Sequence, residues 1–99
     1  ETLPEYLIVS GAGDSNVNGR YGLDAGLRQG SRPSWTKEND PRYRIQWSTI
    51  SGCWMVDFDG GEAPYRADGQ SEEEAPLGLT WCSYQGGVAP MPTVEAGAA

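Results

Sequence analysis

Histidine is absent from this 99-residue sequence. Its absence removes the usual general base of serine and cysteine hydrolases and the imidazole ligands of zinc and haem sites. Cysteine occurs twice, at Cys53 and Cys82, which is too few for a structural four-cysteine zinc site. We therefore expect no catalytic residues, no metal and no cofactor, and the sequence predicts that the chain is not an enzyme.

Apolar residues are scarce as well. They make up 37% of the chain, against 14 glycines and 7 prolines, and no apolar run approaches the ~20 residues of a membrane-spanning helix. Aromatic residues offset part of this shortage, since each tryptophan or tyrosine can bury about 150–250 Å². We expect one domain with a thin core of rings and no membrane span, although attachment at the periphery of a membrane complex stays open.

Positive charge is also in short supply, because the net charge is −7. Such a balance argues against nucleic acid and anionic membrane surfaces as partners. Five of the seven basic residues lie between Arg28 and Arg44, whereas the chain after Ile45 has eight acids and Arg66 alone. This asymmetry is explained either by a solvated surface of mixed charge or by a two-sided surface that docks different protein subunits.

The strongest pattern present is a pair of aromatic segments joined by a Ser/Gly turn. Tyr43, Ile45 and Trp47 alternate along the first segment, and Trp54 and Phe58 mark the second. Alternation with period two, interrupted by a tight turn, predicts a half-buried β-hairpin. The fold class expected is all-β: one small antiparallel sheet, as a sandwich or open barrel of about six or seven short strands without substantial helix.

The remaining segments extend this pattern. Residues 6–10, 20–24, 33–37 and 79–84 are predicted as further strands, and Pro33 places the third of them at an edge of the sheet. Residues 1–84 are predicted to form a single β domain. Residues 85–99, rich in proline and glycine, are predicted to be an extended tail that lies over the domain or reaches toward a neighbour.

Each cysteine is adjacent to a tryptophan, in the pairs Cys53-Trp54 and Trp81-Cys82. Two cysteines at equivalent strand positions could form a disulfide if their Cα atoms come within about 7 Å. The alternative is a pair of buried thiols that pack as small apolar groups. Both readings stay open in the sequence.

Several short motifs together resemble a small β module that recurs in proteins of algae and other single-celled eukaryotes. The motifs are Val17-Asn18-Gly19-Arg20-Tyr21, Tyr43-Arg44-Ile45-Gln46-Trp47, Gly52-Cys53-Trp54, Trp81 and Pro90-Met91-Pro92. The resemblance implies an interaction or spacer role without catalysis.

Two candidate sites compete with simpler structural explanations. The run from Asp14 to Gly19 matches the start of a calcium-binding loop, but Ala25 stands where that loop needs a glutamate. Its alternative is a turn in which Asp and Asn side chains bond their own backbone. Asp57 and Asp59 share one strand face, as paired catalytic carboxylates do, or they are solvated residues beside a turn.

The four tryptophans decide between two binding hypotheses. At least two or three are expected in the core, and Trp35 is the best candidate for an exposed contact, because tryptophan and arginine are typical interface anchors. Our leading hypothesis is a non-catalytic protein–protein interaction module that serves as an accessory or linker subunit. The interface candidates are Arg28, Arg32, Trp35, Pro90 and Pro92. The alternative hypothesis is a carbohydrate-binding module with two coplanar exposed rings.

The first residues, Glu1-Thr2-Leu3-Pro4, include no initiator methionine. We expect a chain that was either processed or trimmed. Processing would place the mature protein in an organelle or outside the cell. Together with the resemblance, this is compatible with the periphery of a photosynthetic complex in an algal plastid.

Overall fold

A computed structural model describes residues 4–29, 32–49, 52–59, 61–68 and 76–97, with the backbone alone for residues 25–29, 32 and 68. Within these ranges the chain forms eight β-strands and one 3-10 turn at Ser15–Val17. The strands are β1 (Tyr6–Ser10), β2 (Gly19–Gln29), β3 (Arg32–Lys37), β4 (Tyr43–Ser48), β5 (Cys53–Phe58), β6 (Tyr65–Asp68), β7 (Trp81–Ser83) and β8 (Thr93–Gly97). No described helix is long enough to cross a membrane.

All eight strands belong to one antiparallel sheet. Strands β1 to β7 follow each other as a meander and β8 returns to pair with β1, which gives the order β7-β6-β5-β4-β3-β2-β1-β8. The sheet curls into a half-barrel. The predicted all-β class is therefore confirmed, and the described residues contain one strand more than the largest number expected.

The aromatic hairpin forms as predicted and supplies the middle of the core. Trp47 lies opposite Trp54, and Ile45 lies opposite Val56, so the alternating side chains of β4 and β5 share the inner face. The ring centroids of Trp47 and Trp54 are 5.8 Å apart, and those of Trp35 and Trp54 are 6.0 Å apart. Edge-to-face and tilted ring pairs of this kind are typical of aromatic residues packed in a core, and they do not form a flat surface on which a ligand could stack.

Tryptophan serves mainly as interior filler. Trp35 and Trp54 are fully buried, Trp81 is 3% exposed and Trp47 is half-buried against the same cluster. This confirms that at least two or three of the four tryptophans belong to the core. The cluster continues from Val94 on β8 to Trp81 on β7, so it crosses the whole sheet.

The expectation that β3 is an edge strand is wrong, and Trp35 is not an exposed contact. β3 pairs with β2 on one side and with β4 on the other. The β2–β3 register shifts between Asp24 and Gln29, directly beside Pro33. A β-bulge tolerates proline because the ladder is already interrupted there. Trp35 points inward, and its indole Nε1 donates to the carbonyl oxygen of Pro4 at 3.0 Å.

The residues predicted as an extended tail contribute to the sheet. Thr93–Gly97 form β8, which pairs with the whole of β1, and Val94 is 6% exposed. Residues 84–92, here called the closing segment, run from β7 back to β8. The backbone N–H of Tyr84 donates to the carbonyl of Pro64, and that of Gly13 donates to the carbonyl of Pro90. The predicted boundary at residue 84 therefore falls inside the domain.

The two cysteines lie on opposite sides of β6. Cys53 is buried on β5 opposite Asp68, whereas Cys82 is exposed on β7 opposite Arg66. Strands are spaced by about 4.8 Å, so two intervals separate these residues by about 10 Å, beyond the reach of a disulfide. The structure accordingly holds two thiols that are not bonded to each other, and one of them is at the surface.

Candidate functional site

A pocket opens at one end of the half-barrel, here called the loop end, where the β1–β2, β3–β4 and β5–β6 connections meet the closing segment. It encloses about 240 Å³. Its walls combine two carboxylates, two aromatic rings, one amide side chain, one proline and one glycine: Asp14, Tyr43, Phe58, Glu62, Gln85, Pro64 and Gly86. Ligand sites often lie at the mouths of β-barrels, which makes this the candidate functional site.

The aromatic wall comes from the last pair of the β4–β5 hairpin. Tyr43 lies opposite Phe58, and their ring centroids are 4.8 Å apart at an angle of 49°. The chain then reverses at Asp59, which has a φ of 54°. Asparagine and aspartate tolerate this left-handed conformation better than most residues. The reversal directs Glu62 toward the pocket beside Phe58.

Asp14 reaches the pocket from the β1–β2 connection. Its side chain caps the 3-10 turn by accepting from the backbone N–H of Asn16 at 3.2 Å. The hydroxyl of Tyr65 accepts from the N–H of Asp14 at 3.0 Å and donates to the carbonyl of Val88 at 2.6 Å. One buried tyrosine on β6 therefore ties this connection to the closing segment.

The fourth wall is the start of the closing segment. Gln85 bonds Ala63 twice, because its N–H donates to the Ala63 carbonyl at 2.9 Å and its Oε1 accepts from the Ala63 N–H at 2.8 Å. Tyr84 and Val88 flank this wall in sequence and are 41% and 52% exposed. The wall is thus fixed to β6 by its backbone while two large apolar side chains face solvent.

Charges at the loop end are only partly compensated. The two salt bridges of the described residues join Arg20 to Glu38 and Arg42 to Asp40. Lys37 is 8% exposed, and its ammonium donates to the carbonyl of Asn16 at 2.5 Å. Neither pocket carboxylate, Asp14 nor Glu62, belongs to those salt bridges. The cations nearest the pocket are Arg42, 5.1 Å from the Phe58 centroid, and Lys37, 5.3 Å from the Tyr43 centroid.

Two tyrosines near the pocket, Tyr21 and Tyr43, have raised pKa values. Burial raises the pKa of Tyr43, the negative charges of Asp14 and Asp40 raise it further, and Arg42 acts against them. Burial also raises the pKa of Tyr21 well above its usual range, with Tyr43, Asp14 and Asp40 adding to the shift. Burial is therefore the main cause of both shifts, and the nearby carboxylates add to it.

The sequence candidates for metal and acid–base chemistry take other roles. Asn18 Oδ1 accepts from the N–H of Ala12 at 3.0 Å, and its Nδ2 donates to the carbonyl of Ala12 at 3.3 Å. Together with the capping bond of Asp14, this is the turn that bonds its own backbone. Among the described residues, no three histidine, cysteine or carboxylate side chains are placed to hold a metal ion.

Asp57 and Asp59 do not form a paired site. Asp57 is half-buried on the outer face of β5, where Gln46 Nε2 donates to its Oδ2. Asp59 is exposed in the turn that follows Phe58.

The predicted interface residues are scattered across the fold. Trp35 is buried near the centre of the sheet, and Pro92 is buried beside β8. Pro90 is exposed in the closing segment. Arg28 and Arg32 lie on β2 and β3, and their side chains fall outside the described part of the chain.

Sequence reasoning did not identify the pocket. The alternation along the hairpin puts Tyr43 and Phe58 on a face of the sheet but does not indicate that they line a pocket. The hairpin register alone would have placed them together at the end opposite the Ser/Gly turn. Gln85 and Gly86 carried no detectable signal, because their role depends on contacts with β6, which is distant in the sequence.

Comparisons with protein-family models, curated proteins and solved structures found no significant match. The resemblance to the algal β module therefore stays a prediction.

Proposed function

We propose that this domain is a non-catalytic protein-interaction module that serves as an accessory or linker subunit of a larger assembly. The observation that carries the proposal is the exposure of Tyr84 and Val88 in the closing segment, which also contributes Gln85 and Gly86 to the acidic pocket. Tyrosine is enriched among the residues that dominate binding energy at protein interfaces. Here it stands next to an aliphatic side chain on a wall that hydrogen bonds hold to β6.

The burial of the tryptophan rings supports the same proposal. Because the large indoles fill the interior, the described large apolar side chains exposed to solvent are few: Leu77, Tyr84 and Val88. Two of the three lie in the closing segment, next to pocket residues. A small apolar patch with a charged depression matches the usual anatomy of an interface, in which apolar anchors are surrounded by polar groups.

Size-exclusion chromatography of native cell extract, with the chain tracked by mass spectrometry, tests the proposal. We expect elution well above the 10.7 kDa of the free chain. A tagged Tyr84→Ser/Val88→Ser variant should shift toward the free position, because both changes remove exposed apolar contacts. The matched control is Leu77→Ser, an equally exposed apolar residue outside the closing segment, which should co-elute with the wild type. Elution of the wild type only as a free monomer would refute the function.

The carbohydrate hypothesis receives less support from the described residues. It needs two coplanar exposed rings, whereas Tyr84 is the exposed ring here and the guanidinium of Arg66 lies 5.0 Å from its centroid. Tyr43 and Phe58 are tilted against each other and Tyr43 is buried. Tryptophan fluorescence should stay flat during titration with oligosaccharides, and saturable quenching would favour the sugar-binding alternative.

A further inference from the structure

The loop-end pocket is suited to one long side chain. Its volume of about 240 Å³ lies below the roughly 300–1,000 Å³ typical of pockets for small molecules. Its walls are fixed by hydrogen bonds between the side chains of Tyr65 and Gln85 and neighbouring backbone: Tyr65 and Gln85 accept from the N–H groups of Asp14 and Ala63, and Tyr65 donates to the carbonyl of Val88. A pocket of this size with preformed walls favours a single protruding group over an extended cofactor.

The chemistry of the lining selects a cation. Asp14 is half-buried on one side of the pocket, Glu62 is exposed on another, and both contribute carboxylates. Phe58 and Tyr43 line the pocket between them, and each ring already has a cation nearby: the guanidinium of Arg42 is 5.1 Å from the Phe58 centroid, and the ammonium of Lys37 is 5.3 Å from the Tyr43 centroid. Nearby cations are already engaged, since Arg42 is paired with Asp40 and Lys37 donates to a backbone carbonyl.

We propose that this pocket receives an arginine side chain of the partner protein; this inference rests on the function proposed above. The planar guanidinium can hydrogen-bond to a carboxylate through two parallel N–H groups, whereas the ammonium of lysine acts as a point charge. Glu62 supplies the accessible carboxylate, and Phe58 supplies an apolar wall for the aliphatic part of the arginine side chain. Tyr84 and Val88 then contact the residues of the partner that flank the arginine.

An NMR titration of the whole chain tests the pocket without a known partner. The probe is a blocked tripeptide, acetyl-Ala-Arg-Ala-amide, compared with the same peptide containing citrulline, which keeps the shape and loses the charge. We expect the arginine peptide to shift the amide signals of Glu62, Gln85 and Gly86. The citrulline peptide should leave them in place, and the response should weaken as salt rises, because exposed charge pairs are screened.

Two variants locate the response. Glu62→Gln removes one pocket carboxylate without changing the shape of the side chain, and we expect it to weaken binding roughly threefold, as for a partly exposed ion pair. Glu95→Gln makes the same charge change on β8, where the side chain is exposed and outside the pocket. It should leave the affinity unchanged. Equal weakening by both variants would mean a general charge effect and would overturn the proposal.

Further outcomes of the titration distinguish arginine from other possible ligands of the pocket. Stronger binding of a lysine peptide would overturn the assignment to arginine, and stronger binding of free arginine amide would indicate a metabolite in place of a protein. Absence of any shift at the pocket would refute the pocket while leaving the chromatographic test of the interaction module untouched.

Discussion

Tyr21 connects the core to the loop end through a single hydroxyl. Its ring is fully buried on β2, and its hydroxyl donates to the carbonyl of Val17 at 2.6 Å. Val17, the last residue of the 3-10 turn, is itself fully buried. The bond therefore holds the turn, and with it Asp14, in position over the end of the core.

Because the Tyr21 hydroxyl is buried, we expect the protein to lose stability at alkaline pH. Burial raises the pKa of Tyr21 far above the usual tyrosine value of 10.0, so above pH 10 the unfolded chain releases this proton while the folded chain retains it. The free energy of unfolding should therefore fall as pH rises beyond 10, by at most about 1.4 kcal/mol per pH unit for one proton. Urea denaturation between pH 8 and pH 11 measures the slope.

The Tyr21→Phe variant isolates the contribution of that proton. It loses about 1 kcal/mol at pH 8 through the missing hydrogen bond, and its stability should fall less steeply above pH 10. Tyr84→Phe, at an exposed position, serves as the control and should keep the wild-type slope. An unchanged slope in Tyr21→Phe would assign the alkaline loss to other groups.

The carboxyl of Asp57 should produce a pH effect of the same sign as Tyr21, but in the acidic range. Burial raises its pKa, and the bond from Gln46 and the charge of Arg44 only partly oppose the shift. The folded state thus holds the proton more tightly than the unfolded state, and stability is lost as pH rises through the folded pKa. Asp57→Asn keeps an acceptor for Gln46 and should stabilise the fold by a few tenths of a kcal/mol at pH 7.

At pH 3 that gain should shrink, because the aspartate is then largely protonated. Denaturation midpoints at the two pH values measure it, and Glu95→Gln reports the effect of removing any one exposed carboxylate. Lower stability of Asp57→Asn at pH 7 would show that the attraction of Arg44 outweighs the cost of burial.

At the scale of elements, the closing segment depends on close backbone contact with the start of β6. A Cβ atom on Gly87 would lie 1.9 Å from the carbonyl oxygen of Pro64, so no side chain fits unless the backbone moves. Gly87→Ala should therefore cost about 1–3 kcal/mol of stability, as overpacking of a fixed site does. Thermal or urea denaturation measures the loss.

Gly61→Ala is the matched control. Its Cβ atom would lie 3.6 Å from the nearest neighbour, the carbonyl oxygen of Phe58, which is an ordinary contact distance. The control should change stability by less than about 0.5 kcal/mol. Gly87→Ala should also shift the amide signal of Asp14, because Tyr65 links the two regions. Equal effects of the two variants would mean that the closing segment is not held tightly.

The elements that sequence reasoning could predict are those with local signals. The hairpin was predictable because alternation and turn residues lie within 16 residues of each other, and β1 was predicted with its observed bounds. β8 was not, since Thr93–Gly97 offers one buried side chain, Val94, and gains its stability by pairing with distant β1. The edge-strand prediction from Pro33 was wrong for a related reason. Proline occurs both on edge strands and at β-bulges, so the residue alone does not distinguish the two.

The same distinction applies to the candidate site. Tyr43 and Phe58 were predictable as a cross-strand pair from the hairpin. Their meeting with Asp14 and Gln85 requires the curl of the whole sheet, which no short sequence window encodes. The pocket is therefore a property of topology more than of any motif.

At the scale of the whole molecule, one continuous core should make unfolding cooperative. The cluster includes Val94 at one edge strand and Trp81 at the other, with Trp35 and Trp54 between them. Small domains with a single core usually unfold in one transition. Urea curves followed by tryptophan fluorescence and by far-ultraviolet circular dichroism should therefore superimpose.

Val94→Ala makes this prediction specific to the last strand. It removes two buried carbons and should cost about 1–2 kcal/mol. If β8 is an integral part of the domain, the fluorescence midpoint must shift as far as the dichroism midpoint, although no tryptophan lies on β8. The slope of the transition should stay the same, because the area exposed on unfolding is nearly unchanged. A fluorescence midpoint that does not move would show that β8 unfolds independently of the rest of the domain. The end of the closing segment that leads into β8 would then not be held by the sheet.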